Sequence, residues 1–323
     1  MELSALRTFV RVTELGSFTK AAISLGLAQP SITRIVLELE SELSGALFHR
    51  TGRGVQLTGL GDMVLPRAKA LLQSAEQLGT DAVGFGKSPV GSVSIAALPS
   101  VLQSIAPGLY SHVSKYTPGI KLRLSEGFSN QIQRWVSEGQ VDIGLLSKYK
   151  SYRSEHDDVL FRADLMLVGP ADGPRFGNEV PFNQLKGLPL VLPAVPNGLR
   201  VVLEETAKRH RIELNVVVEA DSLAAQREIV RECRCFSVMA REAAHSMNPD
   251  LFLFASRIVG KGLERYVVLV TTQQRPLSKA ARVIVQAIRH TVGEARPAES
   301  LPALANDLAM LRRRPRPQGG RSS

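Results

Sequence analysis

The spacing of apolar residues changes period once along this chain, and that change constrains the fold more than any single motif. Up to about residue 86 the hydrophobic side chains recur at helical intervals. Beyond the short Gly/Ser/Pro stretch "FGKSPVG" they gather into strand-length runs alternating with helical segments. The first part therefore predicts a small helical module and the second an α/β architecture with a parallel sheet.

Residues 1–58 predict three short helices and a hairpin. Leu6, Phe9, Val10 and Leu15 give the first helix an apolar face that stops at Gly16. Ser17 is placed to cap the second, where Phe18, Ala21, Ala22 and Leu25 follow i, i+3, i+4, i+7 spacing before Gly26 closes it. The third opens on Gln29-Pro30-Ser31, with Ile32, Ile35, Val36, Leu39 and Leu43 on one face. Proline suits the first turn, where its missing N–H would have no partner. Gln29, Ser31, Thr33 and Arg34 lie on the other face and have no core role, so their partner is expected outside the fold. The second and third helices make a helix-turn-helix, and Leu47-Phe48 and Val55/Leu57 flank Thr51-Gly52-Arg53-Gly54 as a wing with a basic tip.

From Thr58 to about Gly86 runs one long helix in which Val64, Ala68, Leu71, Ala75, Leu78 and Ala82 step alternately by four and three. Such a heptad seam predicts pairing with a second copy, with packing against the chain's own domains as the alternative. The following segments read as strands "SVSIAAL", "KLRLSEG" and "VDIGLL" with helices at Ser100–Tyr116 and Asn130–Glu138. A second set follows: "LMLVG", "LPLVLP", "LNVVVEA" and "CFSVMA" with helices at Gly198–Arg209 and Ser222–Glu232. "RYVVLVTT" and the helix Ser278–Thr291 return to the first set. Two lobes joined by crossover strands leave a cleft between them.

Composition narrows the function. The net charge is +10, yet residues 1–87 hold 9 Lys/Arg against 8 Asp/Glu. Non-specific chromosome packaging would need bulk positive charge there, and it is absent. The tail from Arg296, ending "LRRRPRPQGGRSS", has little to bury and reads as a solvated, disordered segment. No apolar run approaches the roughly 20 residues of a membrane span, and "MELSALRTFV" is no signal peptide, so the expected location is cytoplasmic. The six histidines are scattered without metal-ligand spacing, no nucleophile elbow occurs, "EHDD" reads as a solvated loop, and "GKGLER" lacks the glycine fingerprint. Neither catalysis, a metal nor a cofactor is expected. The competing class is a ligand-binding or enzymatic α/β protein that uses its N-terminal helices only to dimerise; Gln29, Arg34 and Arg53 gathered on an exposed face argue against it.

The stretch Leu6 to Gly61 resembles the DNA-binding domain of the LysR-type transcriptional regulators almost end to end. Phe9, Gly16-Ser17-Phe18-Thr19, Ala21-Ala22, Leu25, Gln29-Pro30-Ser31, Arg34, Leu39-Glu40, Leu47-Phe48, Arg50 and Leu57-Thr58 carry the likeness. "YTPGIKLRLSEG", "EGQVDIGLL" and "LPLVLPAVPNGLR" extend it to about residue 293. The last of these is similar to members concerned with nitrogen metabolism, a likeness that names no effector. The resemblance implies a winged helix-turn-helix at 1–58, a linker and dimerisation helix at 59–87, and a periplasmic-binding-protein-like effector domain at 88–295. Its lobe I spans about 91–162 and 270–295, its lobe II about 163–269. Residues 296–323 form the tail.

The resemblance also implies roles. Gln29, Pro30, Ser31, Thr33 and Arg34 start a helix that enters the major groove, Thr19 and Lys20 hold the DNA backbone, and Arg50 and Arg53 of the wing meet phosphate or minor groove. Pro99, Ser100, Ser129, Ser147, Pro193 and Asn197 line an effector pocket, and hydroxyl-rich helix N-termini there favour a small anionic metabolite. Each serine is equally a plausible helix cap. Partners implied are double-stranded DNA, a small-molecule effector, further copies of the chain as dimer or tetramer, and RNA polymerase. The sequence departs from the family at Ser44, where a glycine is usual after the recognition helix, and at Cys233 and Cys235, which stand where two glycines are common. The cysteines read as packed thiols rather than a redox pair, and the loop they occupy is where backbone geometry is in question.

Overall fold

The computed structural model describes residues 1–51, 54–83, 88–149, 153–154, 156–170, 176–245 and 253–295. Three helices, α1 (Leu3–Leu15), α2 (Phe18–Leu25) and α3 (Gln29–Glu42), precede the hairpin β1 (Phe48–Thr51) and β2 (Gly54–Leu57) and the long α4 (Gly59–Val83). Each helix end follows from its sequence. Ser17 Oγ accepts the Lys20 N–H at 3.3 Å to cap α2, and Gly26, at φ 67°, ends it in a left-handed turn. Thr58 Oγ1 accepts the Gly61 N–H at 3.0 Å and starts α4.

The helices bury Leu6, Phe9, Val12, Ala21, Ala22, Ile32, Val36, Leu39 and Leu47 in one core, with the Phe48 ring 5.4 Å from that of Phe9 and 5.6 Å from that of Phe18. Val64 and Ala68 of α4 complete it at 9% and 1% exposure. They therefore serve the chain's own core and are unavailable to a partner, which corrects the first third of the expected seam. Leu71 and Leu78 remain 47% and 74% exposed, with Ala75 half-buried between them. The side chain of Ala82 lies outside the described residues.

The rest of the chain builds two sheets. The strands are β3 (Gly91–Ala97), β4 (Ile120–Glu126), β5 (Ile143–Tyr149), β6 (Asp158–Ala163), β7 (Leu165–Pro170), β8 (Glu179–Pro181), β9 (Leu190–Leu192), β10 (Val216–Glu219), β11 (Phe236–Ala240), β12 (Leu253–Val259) and β13 (Arg265–Thr271). Their helices are α5 (Pro99–Tyr116), α6 (Ser129–Ser137), α7 (Gly198–His210), α8 (Leu223–Glu232), the short α9 (Arg241–His245) and α10 (Lys279–Ala295). One sheet has the order β4-β3-β5-β13-β6, so β13 does return to the first set; the other runs β10-β9-β11-β7-β12-β8. Both are mixed rather than parallel. β3 pairs parallel with β4 and β9 with β10, whereas β7 pairs antiparallel with β11 and β12, and β13 with β6.

By compactness the chain forms two units: Met1–Ala97 with Val113–Gly144 and Val270–Val285, and Leu98–His112 with Leu145–Leu269 and the residues from Gln286 onward. In the first, a buried ion pair joins Arg275 Nη2 to Asp142 Oδ1 at 2.7 Å. Asp142 Oδ2 also accepts from the N–H and the hydroxyl of Ser94, at 2.8 and 2.6 Å. In the second, Leu165, Leu167, Leu190, Leu192, Leu203, Phe236 and Val238 form the core over the six-stranded sheet.

Among the described residues three non-glycines take a left-handed backbone, Ser44, Arg211 at the end of α7, and Arg234. Ser44 has φ 54° and closes α3: its N–H bonds to Ser41 O at 3.1 Å and that of Gly45 to Glu40 O at 3.0 Å, a Schellman pair. In "RECRC" the left-handed residue is neither cysteine. Cys233 has φ −112° and Arg234, between them, φ 52°. Ser44→Gly and Arg234→Gly should each raise stability by up to about 1 kcal/mol, since relief of the left-handed penalty exceeds the entropy gained by the unfolded chain. Chemical denaturation with an unchanged m-value checks this.

Candidate functional site

Two groups of residues carry the chemistry, one in each unit. In the first, α3 starts without side-chain capping. Ala28 stands at its N-cap and Pro30, which has no N–H, in its first turn; Ala28 O accepts the N–H groups of Ser31 and Ile32 at 3.0 and 3.2 Å, while the positive end of the helix dipole lies at this exposed start. Gln29, Pro30 and Arg34 are exposed, and Ser31 and Thr33 are half-buried. Thr33 Oγ1 donates to Gln29 O at 3.2 Å. Arg34 lies 3.8 Å from Glu38 with side chains 77% and 65% exposed, a contact too loose to hold the guanidinium. Thr19 and Lys20 are exposed on the first turn of α2.

The wing is tied to these helices by backbone. Glu40 on α3 accepts the Leu47 N–H at 2.7 Å and that of Phe48 at 3.3 Å. The Val55 N–H donates to Gly16 O at 3.3 Å, and a Cβ on Gly54 would meet that oxygen at 2.8 Å, so glycine is required at this approach. Arg50 lies on β1 opposite Val55, with its side chain outside the described residues, as is the whole of Arg53. A compact helix-turn-helix thus presents a helix start with amide, hydroxyl and guanidinium side chains: the chemistry needed to read base edges between phosphates.

In the second unit, Ser100 in the first turn of α5 and Ser147 on β5 converge on one residue that sequence reasoning missed. Arg265, which opens β13, donates from Nε to Ser147 Oγ at 2.6 Å, from Nη2 to Ser100 Oγ at 3.4 Å and from Nη1 to Glu242 Oε2 at 3.2 Å. Arg265 and Glu242 side chains are each only 5% exposed. Burial pulls the Arg265 guanidinium below its usual range, an effect opposed by the neighbouring Tyr149. The only sequence signal was an arginine at the head of an otherwise apolar strand run.

The other expected pocket residues are placed differently. Pro99 takes the first position of α5. Asn197 caps α7, its Oδ1 accepting the Leu199 N–H at 2.9 Å, and Pro193 O accepts from Arg200 at 3.3 Å. Ser129, which starts α6, belongs to the other compact unit. Among the histidines, the rings of His112 and His290 meet tilted, with centroids 4.9 Å apart, and among the described residues no group of three His, Cys, Asp or Glu could hold a metal. No helix of the described residues is long and apolar enough to cross a membrane.

These features define a winged helix-turn-helix DNA-binding protein with an α/β ligand-binding domain. The family model for the bacterial regulatory helix-turn-helix protein of the lysR family matches residues 3–62, and that for the LysR substrate binding domain matches residues 86–293; the chain belongs to the LysR family. It is 27% identical over 293 residues to the nitrogen assimilation regulatory protein nac of Escherichia coli (strain K12), covering 90% of this chain and 95% of that protein. Full-length OxyR from Pseudomonas aeruginosa shares the fold at TM-score 0.68 and 20% identity, covering 90% and 94% of the two chains. Full-length CbnR complexed with its target DNA does so at 0.67 and 21%, covering 92% and 100%. The protein is accordingly a DNA-binding transcriptional regulator with an effector-binding domain, and not an enzyme.

Tyr149 offers a test of the buried cluster. It is fully buried, and loss of water pushes its hydroxyl up to about 12 despite the opposing Arg265. The unfolded chain releases this proton near pH 10 and the folded one later. Stability present below pH 10 should therefore fall by about 2–3 kcal/mol between pH 10 and 12. Tyr149→Phe should flatten that alkaline slope in denaturation measured across this range.

Proposed function

We propose that Gln29, Ser31, Thr33 and Arg34 read base edges in the major groove, with Pro30 fixing the helix start. Thr19 and Lys20 hold the phosphate backbone, and Arg50 and Arg53 serve the wing. The observation that carries this reading is the exposed start of α3, which no side chain caps and where Gln29 and Arg34 are open to solvent at the positive end of the helix. Arginine suits guanine and glutamine suits adenine by paired hydrogen bonds.

The domain division at 58, 87 and 295 with lobes at about 91–162/270–295 and 163–269, a cytoplasmic location, and contact with RNA polymerase complete the proposal. Leu71, Ala75 and Leu78 of α4 form the homodimer seam, and two dimers give a tetramer. Exposed leucines one heptad apart on a helix of 25 residues support that seam. A two-fold dimer reads an inverted-repeat operator. A small anionic metabolite is the effector, and it shifts the spacing of the two reading helices. Convergence of Ser100 and Ser147 on a buried cation supports its anionic character.

Duplexes selected from a random pool by the wild-type protein provide the test, read by fluorescence anisotropy against unrelated competitor DNA. Arg34→Ala and Gln29→Ala should each weaken binding to the selected duplex by about 10- to 100-fold and leave binding to unrelated duplex unchanged. Equal binding by both variants and wild type rejects the assignment of this helix.

A further inference from the structure

Side chains alternate across a strand, and the parallel pairing of β3 with β4 places Ser92 and Ser94 on the same face as Arg123 and Ser125, with Ser94 opposite Arg123. The other face of β3 carries Val93 and Ile95, both fully buried. A sheet face covered by helices is ordinarily apolar. This one instead floors a cavity of about 590 Å³, walled by Glu14 of α1, Gln73 of α4, Trp135 of α6 and Gln140 just beyond it. Every residue lining the cavity belongs to the first compact unit, so it is separate from the Arg265 cluster of the second. Gly127 makes room for the Trp135 ring, since a Cβ there would come within 2.9 Å of it.

The floor donates and the walls accept. Among the described residues Arg123 forms no ion pair, and the hydroxyls of Ser92 and Ser125 and the indole N–H of Trp135 make no hydrogen bond. Gln73 Nε2 donates to Asp142 Oδ2 at 3.4 Å and Gln140 Nε2 to Glu138 Oε2 at 2.7 Å, so each offers its amide oxygen as an acceptor. Glu14, which takes Arg11 at 3.3 Å and Lys69 at 4.0 Å, adds a carboxylate to the α1 side.

We infer that this cavity binds a nucleoside monophosphate, a second ligand site independent of the effector reading proposed above. The phosphate meets Arg123 with the Ser92 and Ser125 hydroxyls, the base lies against Trp135, and the ribose hydroxyls or an exocyclic amine donate to the amide oxygens of Gln73 and Gln140. The space is that of an organic ligand, and a bare oxyanion would leave most of it unfilled. A simple aromatic acid would satisfy the floor and bring no donors to the walls. A nucleotide held here contacts the sheet on one side and α1 and α4 on the other, so its binding fastens the core of the winged module to β3 and β4.

Trp135 is the chain's single tryptophan, so the cavity carries its own reporter. Adenosine 5′-monophosphate is the probe, with adenosine and inorganic phosphate as partial matches, on the full chain without DNA and at constant ionic strength. The monophosphate should change Trp135 fluorescence saturably and bind in calorimetry roughly tenfold or more tightly than either match. Arg123→Gln, at an exposed position, should weaken it by roughly tenfold and leave adenosine unaffected. Lys121→Gln, which removes an exposed cation of β4 outside the cavity, should leave binding of the monophosphate unchanged. Should Arg123→Gln fail to fold, Ser125→Leu fills the floor and should abolish the fluorescence change. No saturable change, equal affinity for adenosine or for phosphate, full binding by Arg123→Gln or Ser125→Leu, or an equal loss in Lys121→Gln overturns the inference.

Discussion

Two guanidinium groups closed off from water impose conditions that much of the surrounding structure meets. Arg265 opens β13, and Arg275 follows its end. Each needs a carboxylate, because an unpaired buried charge costs several kcal/mol. Around Arg275 the solution is rigid. Asp142, at the start of β5, accepts the guanidinium and both polar groups of Ser94 on β3, while Gly139 O takes a second N–H at 2.8 Å. Around Arg265 it is looser, with two serine hydroxyls and one carboxylate from a short helix. The same physical demand is met once by a network of two strands and once by side chains drawn from a helix start, a strand and a short helix.

The DNA-binding half was the more legible part of the sequence. Its helices are short, their ends carry strong local signals in Ser17, Gly16, Gly26 and Pro30, and the contacts they make are close in sequence. The heptad seam was half legible. Periodicity shows that Val64 and Ala68 face something apolar but does not say what, and a core formed by α1 to α3 claims them first.

In the α/β half, the strands with dense apolar runs were found and β6, β8 and β12 were not. β6 is separated from β7 by Asp164 alone within one continuous stretch, β8 has three residues, and β12 carries Ser256 and Arg257 in its middle. Antiparallel pairing of β7 was likewise invisible, because partner choice depends on contacts across more than sixty residues of chain. Among the candidate pocket residues, Ser100 and Ser147 meet at one site, whereas Asn197 serves as the helix cap that its sequence position equally allowed. Arg265 lies 118 and 165 residues from Ser147 and Ser100 and carries no motif, so only the folded chain brings them together.

Glu40 spans the junction between α3 and the wing, and the Gly16 carbonyl spans that between the wing and the turn after α1. With its backbone fastened at both places, the hairpin is held to the helix whose start carries Gln29 and Arg34. A force reaching this module from elsewhere in the chain would turn it whole rather than bend it, so its side chains keep their mutual spacing while their common orientation changes.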